Sequence, residues 1–152
     1  GILKTRSTTT RRMSSTINRE AHEGNRASWN AVTPAHNRHK GDQAAFLRSG
    51  GTTLFPEEVG LLGDLTGKKV LHLQCNCGQD TISLVTQLSA TEVLGVDISD
   101  AAVAFATELA EKSGVAAKVK FVRSDLFDWF DGAEAASFDV VFASYGVIGW
   151  LS

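Results

Sequence analysis

The stretch KVLHLQCNCGQDTISL, residues 69–84, decides how the rest of the chain is read. Lys69 to Leu73 is a short apolar run followed at once by the loop Gln74, Cys75, Asn76, Cys77, Gly78, which reads as a buried strand entering a turn. Past the turn, Ile82, Val85 and Leu88 recur on one helical face with Leu84 beside them, and Asp80 or Thr81 is placed to cap that helix.

The same alternation continues downstream. A second strand is expected over Glu92 to Asp97 and ends in an acid. Ser99 or Asp100 then caps a helix with Val103, Ala106, Leu109 and Ala110 inward, and Gly114 stops it. A third strand, Lys118 to Arg123, leads to Ser124 and Asp125, and a short polar connection precedes a fourth, Phe138 to Ser144, reading FDVVFAS. Strand, helix, strand, helix, strand, connection, strand predicts an α/β fold with a mostly parallel sheet and crossover helices. Doubly wound sheets usually have more than four strands, so the expectation is a domain incomplete at its C-terminus.

Upstream, residues 20–66 are read as an N-terminal lid and helical segment. NRASWN and TPAHNRHKGD mix Trp29 with His22, His36 and His39, and Pro34 is expected to break any helix through it. Leu54, Phe55, Val59, Leu61, Leu62 and Leu65 predict a short amphipathic element packed on the sheet. Apolar residues number 11 of the first 44 and 54 of the last 108, which starts the hydrophobic core near Ala45.

The 152 residues suit one domain, and an apolar content of 43% with only two prolines excludes a wholly disordered or collagenous chain. No run approaches the roughly 18 apolar residues of a membrane span, and two cysteines cannot staple a secreted module. A cytoplasmic protein with no membrane partner is therefore expected. The net charge of −2 is the sum of a +5 segment, residues 1–19, and a −7 body. The basic segment admits three readings: a disordered extension, a mitochondrial presequence, or an arm for nucleic acid. Ile2, Leu3, Met13 and Ile17 make no helical stripe, which weakens the presequence reading. Met13 could also be a start, with residues 1–12 from an upstream extension.

In open parallel sheets ligands bind at the carboxyl ends of the strands. Those ends are Gln74 to Gly78, Asp97, Asp125, and Ser144 with Tyr145. Asp97 follows Gly78 by 19 residues, near the spacing at which a second-strand acid accepts from ribose hydroxyls. Together these point to an adenosine-containing cofactor.

The runs VLHLQCNCGQDTISL, GVDIS, FVRSDLFDW and FDVVFASYGVIGWL, in that order, resemble the motif series of class I S-adenosylmethionine-dependent methyltransferases. The usual first motif reads roughly V-L-D-L-G-C-G-x-G; here His72 replaces the acid, Gln74 and Asn76 replace the first two glycines, and Cys75 and Gly78 match. The form LHLQC-x-x-GQDT resembles a small-molecule branch. The resemblance covers about residues 26–152 and implies a Rossmann-like three-layer αβα domain longer than this chain. It also implies S-adenosyl-L-methionine as cofactor. Gln74 to Gly78 would wrap the methionine portion, with Asn76 in the turn conformation usual for glycine. Asp97 would take the ribose hydroxyls with Ile98 beside the adenine. Asp125 would accept from the adenine amino group with Leu126 as a wall. Ser144 and Tyr145 would lie nearest the methyl group, and Trp29 would belong to a lid over the cofactor. Asp80 would bind the cofactor's amino group or cap the helix.

The function expected is methyl transfer to a small molecule, with nucleic acid disfavoured as acceptor. The catalytic residues are unassigned, and Tyr145 and His36 are the only candidate bases. Asp128, Asp131 and Glu134 read as caps or solvated acids. Cys75, Cys77 and His72 lack the paired spacing of a zinc site, so no metal is expected and the thiols read as buried strand-end residues. Two alternatives stand. One is a non-catalytic interaction protein with this fold; a second chain completing the sheet is a further partner the four-strand pattern admits. The other is an NAD-dependent oxidoreductase, against which Gln74, Asn76 and the Asp125 motif argue.

Overall fold

The computed structural model describes residues 17–151. In chain order its elements are α1 (Arg19–Asn37), α2 (Gln43–Arg48), α3 (Pro56–Leu62), β1 (Lys69–Leu73), α4 (Gln79–Thr86), β2 (Glu92–Asp97), α5 (Asp100–Lys112), β3 (Val119–Arg123), α6 (Leu126–Gly132) and β4 (Val140–Ala143), with a 3₁₀ turn at Ile148–Trp150. The four strands make one all-parallel sheet in the order β3-β2-β1-β4. The chain steps from β1 outward to β2 and β3, then returns to the other side of β1. The order therefore reverses beside β1, which opens a crevice at that strand's carboxyl end. Leu73 is level with both Val96 and Ala143, so the strand ends that carry the candidate residues finish together.

Alternation along the strands divides the core in two. Val70, Val93, Val119 and Phe142 pack with Ile82, Leu84, Val85 and Leu109 on the face covered by α4 and α5. Leu71 and Val96 pack on the opposite face with Leu126, Trp129 and Phe138. The first core side chains along the sequence are Ala44 and Leu47, close to the composition boundary. Burial of a side chain such as Leu47, Ile82 or Leu84 contributes about 2 kcal/mol each.

Several expectations need correction. Pro34 does not break the helix: α1 runs through it to Asn37. Thr33 Oγ1 donates to the Trp29 carbonyl and Asn37 Nδ2 to the Thr33 carbonyl, so side chains strengthen the turn that proline weakens. The connection between β3 and β4 contains a helix, α6, capped by Asp125, whose carboxylate accepts from the Phe127 N–H at 2.8 Å. A helix of seven residues is too short for its period to be legible. Neither Asp80 nor Thr81 caps α4; Gly78 does, in the left-handed region at φ 78°. Of the apolar residues around α3, Leu54, Val59, Leu62 and Leu65 turn inward while Phe55 and Leu61 face solvent. Arg19 opens α1 and pairs with Asp128 at 2.7 Å, so the basic segment ends inside the fold; residues 1–16 lie outside the described ones. No helix among the described residues is long and apolar enough to cross a membrane.

Candidate functional site

A cavity of about 730 Å³ opens at the carboxyl ends of the strands. Nine of the ten residues expected there line it: Trp29, Gln74, Asn76, Asp80, Asp97, Ile98, Asp125, Leu126 and Ser144. Gly78 does not. A Cβ at Gly78 would lie 2.7 Å from Ala106 Cβ and 2.7 Å from Phe121 Cζ, so this glycine lets α4 close on α5 and the sheet.

The loop after β1 takes its shape from its conformers and from Asp97. Gln74 and Asn76 both have positive φ, 51° and 49°, so they adopt without glycine the backbone that the usual motif reserves for it. Asp97 Oδ2 accepts from the Asn76 N–H at 2.8 Å and Oδ1 from the Ser99 N–H at 2.9 Å. One carboxylate thus ties the β1 loop to the start of α5. Burial pushes the Asp97 carboxyl up, and the backbone N–H groups of Ser99, Asn76 and Ile98 pull it partly back. Each of its oxygens keeps a second lone pair for a ligand hydroxyl. Beside it, Gln74 Oε1 and Asn76 Oδ1 are buried without a hydrogen-bond partner. Buried acceptors in that state fit a ligand that brings donors.

Asp125 stands at the far end of the row. Besides capping α6, its Oδ2 lies 2.5 Å from His22 Nδ1, and the His22 ring stacks on Phe127 at 5.4 Å and 11°.

α1 forms the roof and is fastened by polar contacts no periodicity foretells. Asn30 Oδ1 accepts from Ser99 Oγ at 2.7 Å and from the Ala101 N–H at 3.1 Å. Asn30, Arg26 and Arg123 donate to Asp100, which holds that carboxyl at about 2. At its other end Asn37 donates to Cys77 Sγ at 3.0 Å and accepts from Gln79 at 3.0 Å. Trp29 stands against Trp150, ring centroids 5.6 Å apart, and against His36 at 6.5 Å. His36 lines the cavity rather than facing bulk water alone; burial, then Lys40, lowers its pKa and favours the neutral ring. Tyr145 also lines the cavity and packs edge-on against Phe55 at 5.2 Å. His22 and Thr53 line the cavity, and Asn30 fastens its roof, without being foreseeable from the sequence. Their only signal there is polarity, which for His22 and Asn30 falls in a segment that also contains Trp29.

Cys75 and Cys77 are free, buried thiols, both pushed up by burial. His72, under the loop, is buried with Nδ1 2.8 Å from Thr81 Oγ1, its Nε2 unpartnered and its ring against Phe142. Burial pushes its pKa down to about 3 from 6.5. The folded state therefore binds fewer protons than the unfolded one in this window, so stability is full above pH 6.5 and falls as pH drops toward 3. Between pH 7 and 5 this histidine is expected to cost about 2 kcal/mol. Urea unfolding of the native chain and His72→Gln at both pH values checks this; equal losses would refute it. Asp80 and Asp97, both raised by burial, act with the opposite sign but are common to the two proteins.

The family described as methyltransferase domain matches residues 70–152. Among solved structures the chain is similar to the cyclase SpnF, at 17% identity and a TM-score of 0.53, covering 79% of this chain and 47% of that one. It is similar to an RNA methyltransferase from Salinibacter ruber in complex with S-adenosyl-L-homocysteine, at 25% identity and a TM-score of 0.49, covering 57% and 54%. A third is geranyl diphosphate C-methyltransferase from Streptomyces coelicolor A3(2), at 17% identity and a TM-score of 0.48, covering 66% and 32%. The chain thus spans about half the length, or less, of these structures. No curated protein matches it. The likeness to SpnF shows the fold alone, a parallel α/β sheet of the Rossmann-like kind.

Proposed function

Since the chain belongs to the methyltransferase-domain family over residues 70–152, we propose that it binds S-adenosyl-L-methionine and directs its methyl group to a small-molecule acceptor. The observation that carries the reading is the buried Asp97 carboxylate. It organises the β1 loop, faces the cavity, and stands beside two buried acceptors without partners. That donor-poor surface suits ribose hydroxyls and an ammonium group.

When bound, the cofactor supplies a methyl group on a sulfonium that leaves as a neutral thioether. The residues of this chain position the two reactants and exclude water. Trp29, Tyr145 and Trp150 supply aromatic walls, and the fastening of α1 to Asp100 and to Asp125 keeps the roof over the cavity. If the acceptor carries a proton, His36 is the group at the cavity best suited to receive it, because its ring is held neutral. A small acceptor is favoured by this roof, under which the reacting carbon must lie.

Calorimetric titration of the full chain with S-adenosylmethionine, S-adenosylhomocysteine and NAD tests the reading. Binding of the first two and not of NAD is expected. Binding of NAD alone would overturn it in favour of an oxidoreductase, and binding of none would favour a non-catalytic interaction protein.

A further inference from the structure

The cavity has charged walls and one uncharged wall. Asp97 and Asp125 line it from the ends of β2 and β3, and Asp80 and Lys40 from α4 and the turn after α1. Residues 144–151, which follow β4, bring no charged group, and Tyr145, Trp150 and Leu151 among them line the same cavity. Large rings at this wall stand open to water: Tyr145 is 70% exposed, Phe55 56% and Trp150 45%. Single exposed apolar residues need no explanation, but several aromatic rings gathered at the wall of a concave site mark a place that a ligand covers.

The rings form two edge-to-face pairs. Trp150 meets Trp29 of α1 with centroids 5.6 Å apart and planes at 69°, and Tyr145 meets Phe55 at 5.2 Å and 79°. In such a pair one ring offers its edge and the other a face, so further faces stay free for another ring. A planar aromatic ligand gains this ring-to-ring term in addition to buried area, whereas a saturated hydrocarbon gains area alone. A cation is also drawn to ring faces. Here it would have no carboxylate from residues 144–151 beside it, and it would be repelled by the sulfonium charge of the cofactor. The sheet order β3-β2-β1-β4 puts this wall on the far side of β1 from Asp97 and Asp125, so its ligand and the cofactor do not compete.

We propose that the methyl acceptor is an uncharged, planar aromatic molecule, stacked on the surface that Tyr145 and Trp150 present beside the carboxyl end of β4. The proposal rests on the cofactor reading above and names the acceptor class that this reading leaves open. Tyr145 and Trp150 are then determinants of which acceptor the chain takes, each backed by its own partner ring.

The test is calorimetric titration of the full chain, with and without saturating S-adenosylhomocysteine, using three probes. They are 2-naphthol, its saturated counterpart decahydro-2-naphthol, and tetraethylammonium. 2-Naphthol is expected to bind about fivefold or more tightly than either of the others. In Tyr145→Leu and Trp150→Leu its advantage over decahydro-2-naphthol should shrink to within about twofold, because area is kept and the ring is lost. A cooperative urea transition shows that the variants are folded. Equal binding of the two naphthol probes, tighter binding of tetraethylammonium, no binding of 2-naphthol, or an unchanged ratio in both variants would overturn the aromatic site while leaving the cofactor reading intact. So would a dimer in sedimentation that Trp150→Leu disperses, since a second copy would then cover these rings. Absence of S-adenosylhomocysteine binding, with 2-naphthol still preferred, overturns the cofactor reading and with it the role of the aromatic ligand as methyl acceptor.

Discussion

Asp97→Ala is expected to lower affinity for S-adenosylhomocysteine by about a hundredfold or more, corresponding to about 3 kcal/mol. The expected loss has two sources. The substitution strips the acceptor from the N–H groups of Asn76 and Ser99, which releases the β1 loop from the start of α5. It also removes the oxygens proposed to meet the ribose. Folding should suffer far less, because burial already disfavours this charge and its removal offsets part of the lost hydrogen bonding. Asp97→Asn, which keeps one acceptor oxygen, should fall between the native chain and Asp97→Ala. Calorimetry paired with urea unfolding checks both halves. Unchanged affinity in a folded Asp97→Ala chain would remove the central support for the site.

The largest expected loss of stability is at a residue that does not line the cavity. Gly78→Ala should destabilise the fold by about 3 kcal/mol. The left-handed backbone costs an L-residue about 1–2 kcal/mol, and forcing a methyl group into the packed space against Ala106 and Phe121 adds about 1–3 more. Gly114 is an internal control, since it has the same φ of 78° with nothing within 4 Å of the point a Cβ would occupy. Gly114→Ala should therefore cost only the backbone part, about 1 kcal/mol. Equal midpoints for the two variants in urea would show that crowding at Gly78 is relieved by movement of the Phe121 ring.

The strands and the longer helices between them are legible in the sequence because their side chains obey short periods. β1 and β2 have the bounds read from their apolar runs, and Ser99 caps α5 as its position suggests. The four strand-end groups are legible for a related reason: a polar residue ending an apolar strand has nowhere to sit but the rim of the sheet. α6 escapes such a reading because seven residues barely complete two turns. The helix through Pro34 escapes it because a local steric rule is outweighed by distant partners, Asn30 on Ser99 and Asn37 on Cys77 and Gln79, which hold both flanks of the proline in place. What the motif around Gly78 does not reveal is that Ala106 and Phe121, residues 28 and 43 positions away, leave no room for a side chain there.

By itself, the order of residues determined an α/β chain with parallel strands, a loop able to turn without its usual glycines, and acids at the ends of the second and third strands. Those features depend on neighbours a few positions apart. Tertiary structure alone decided that β4 returns to the side of β1, that α1 roofs the cavity, and that Trp29 meets Trp150 at its wall. Each of these depends on which distant surfaces are buried together, a property of the packed whole that no local period encodes.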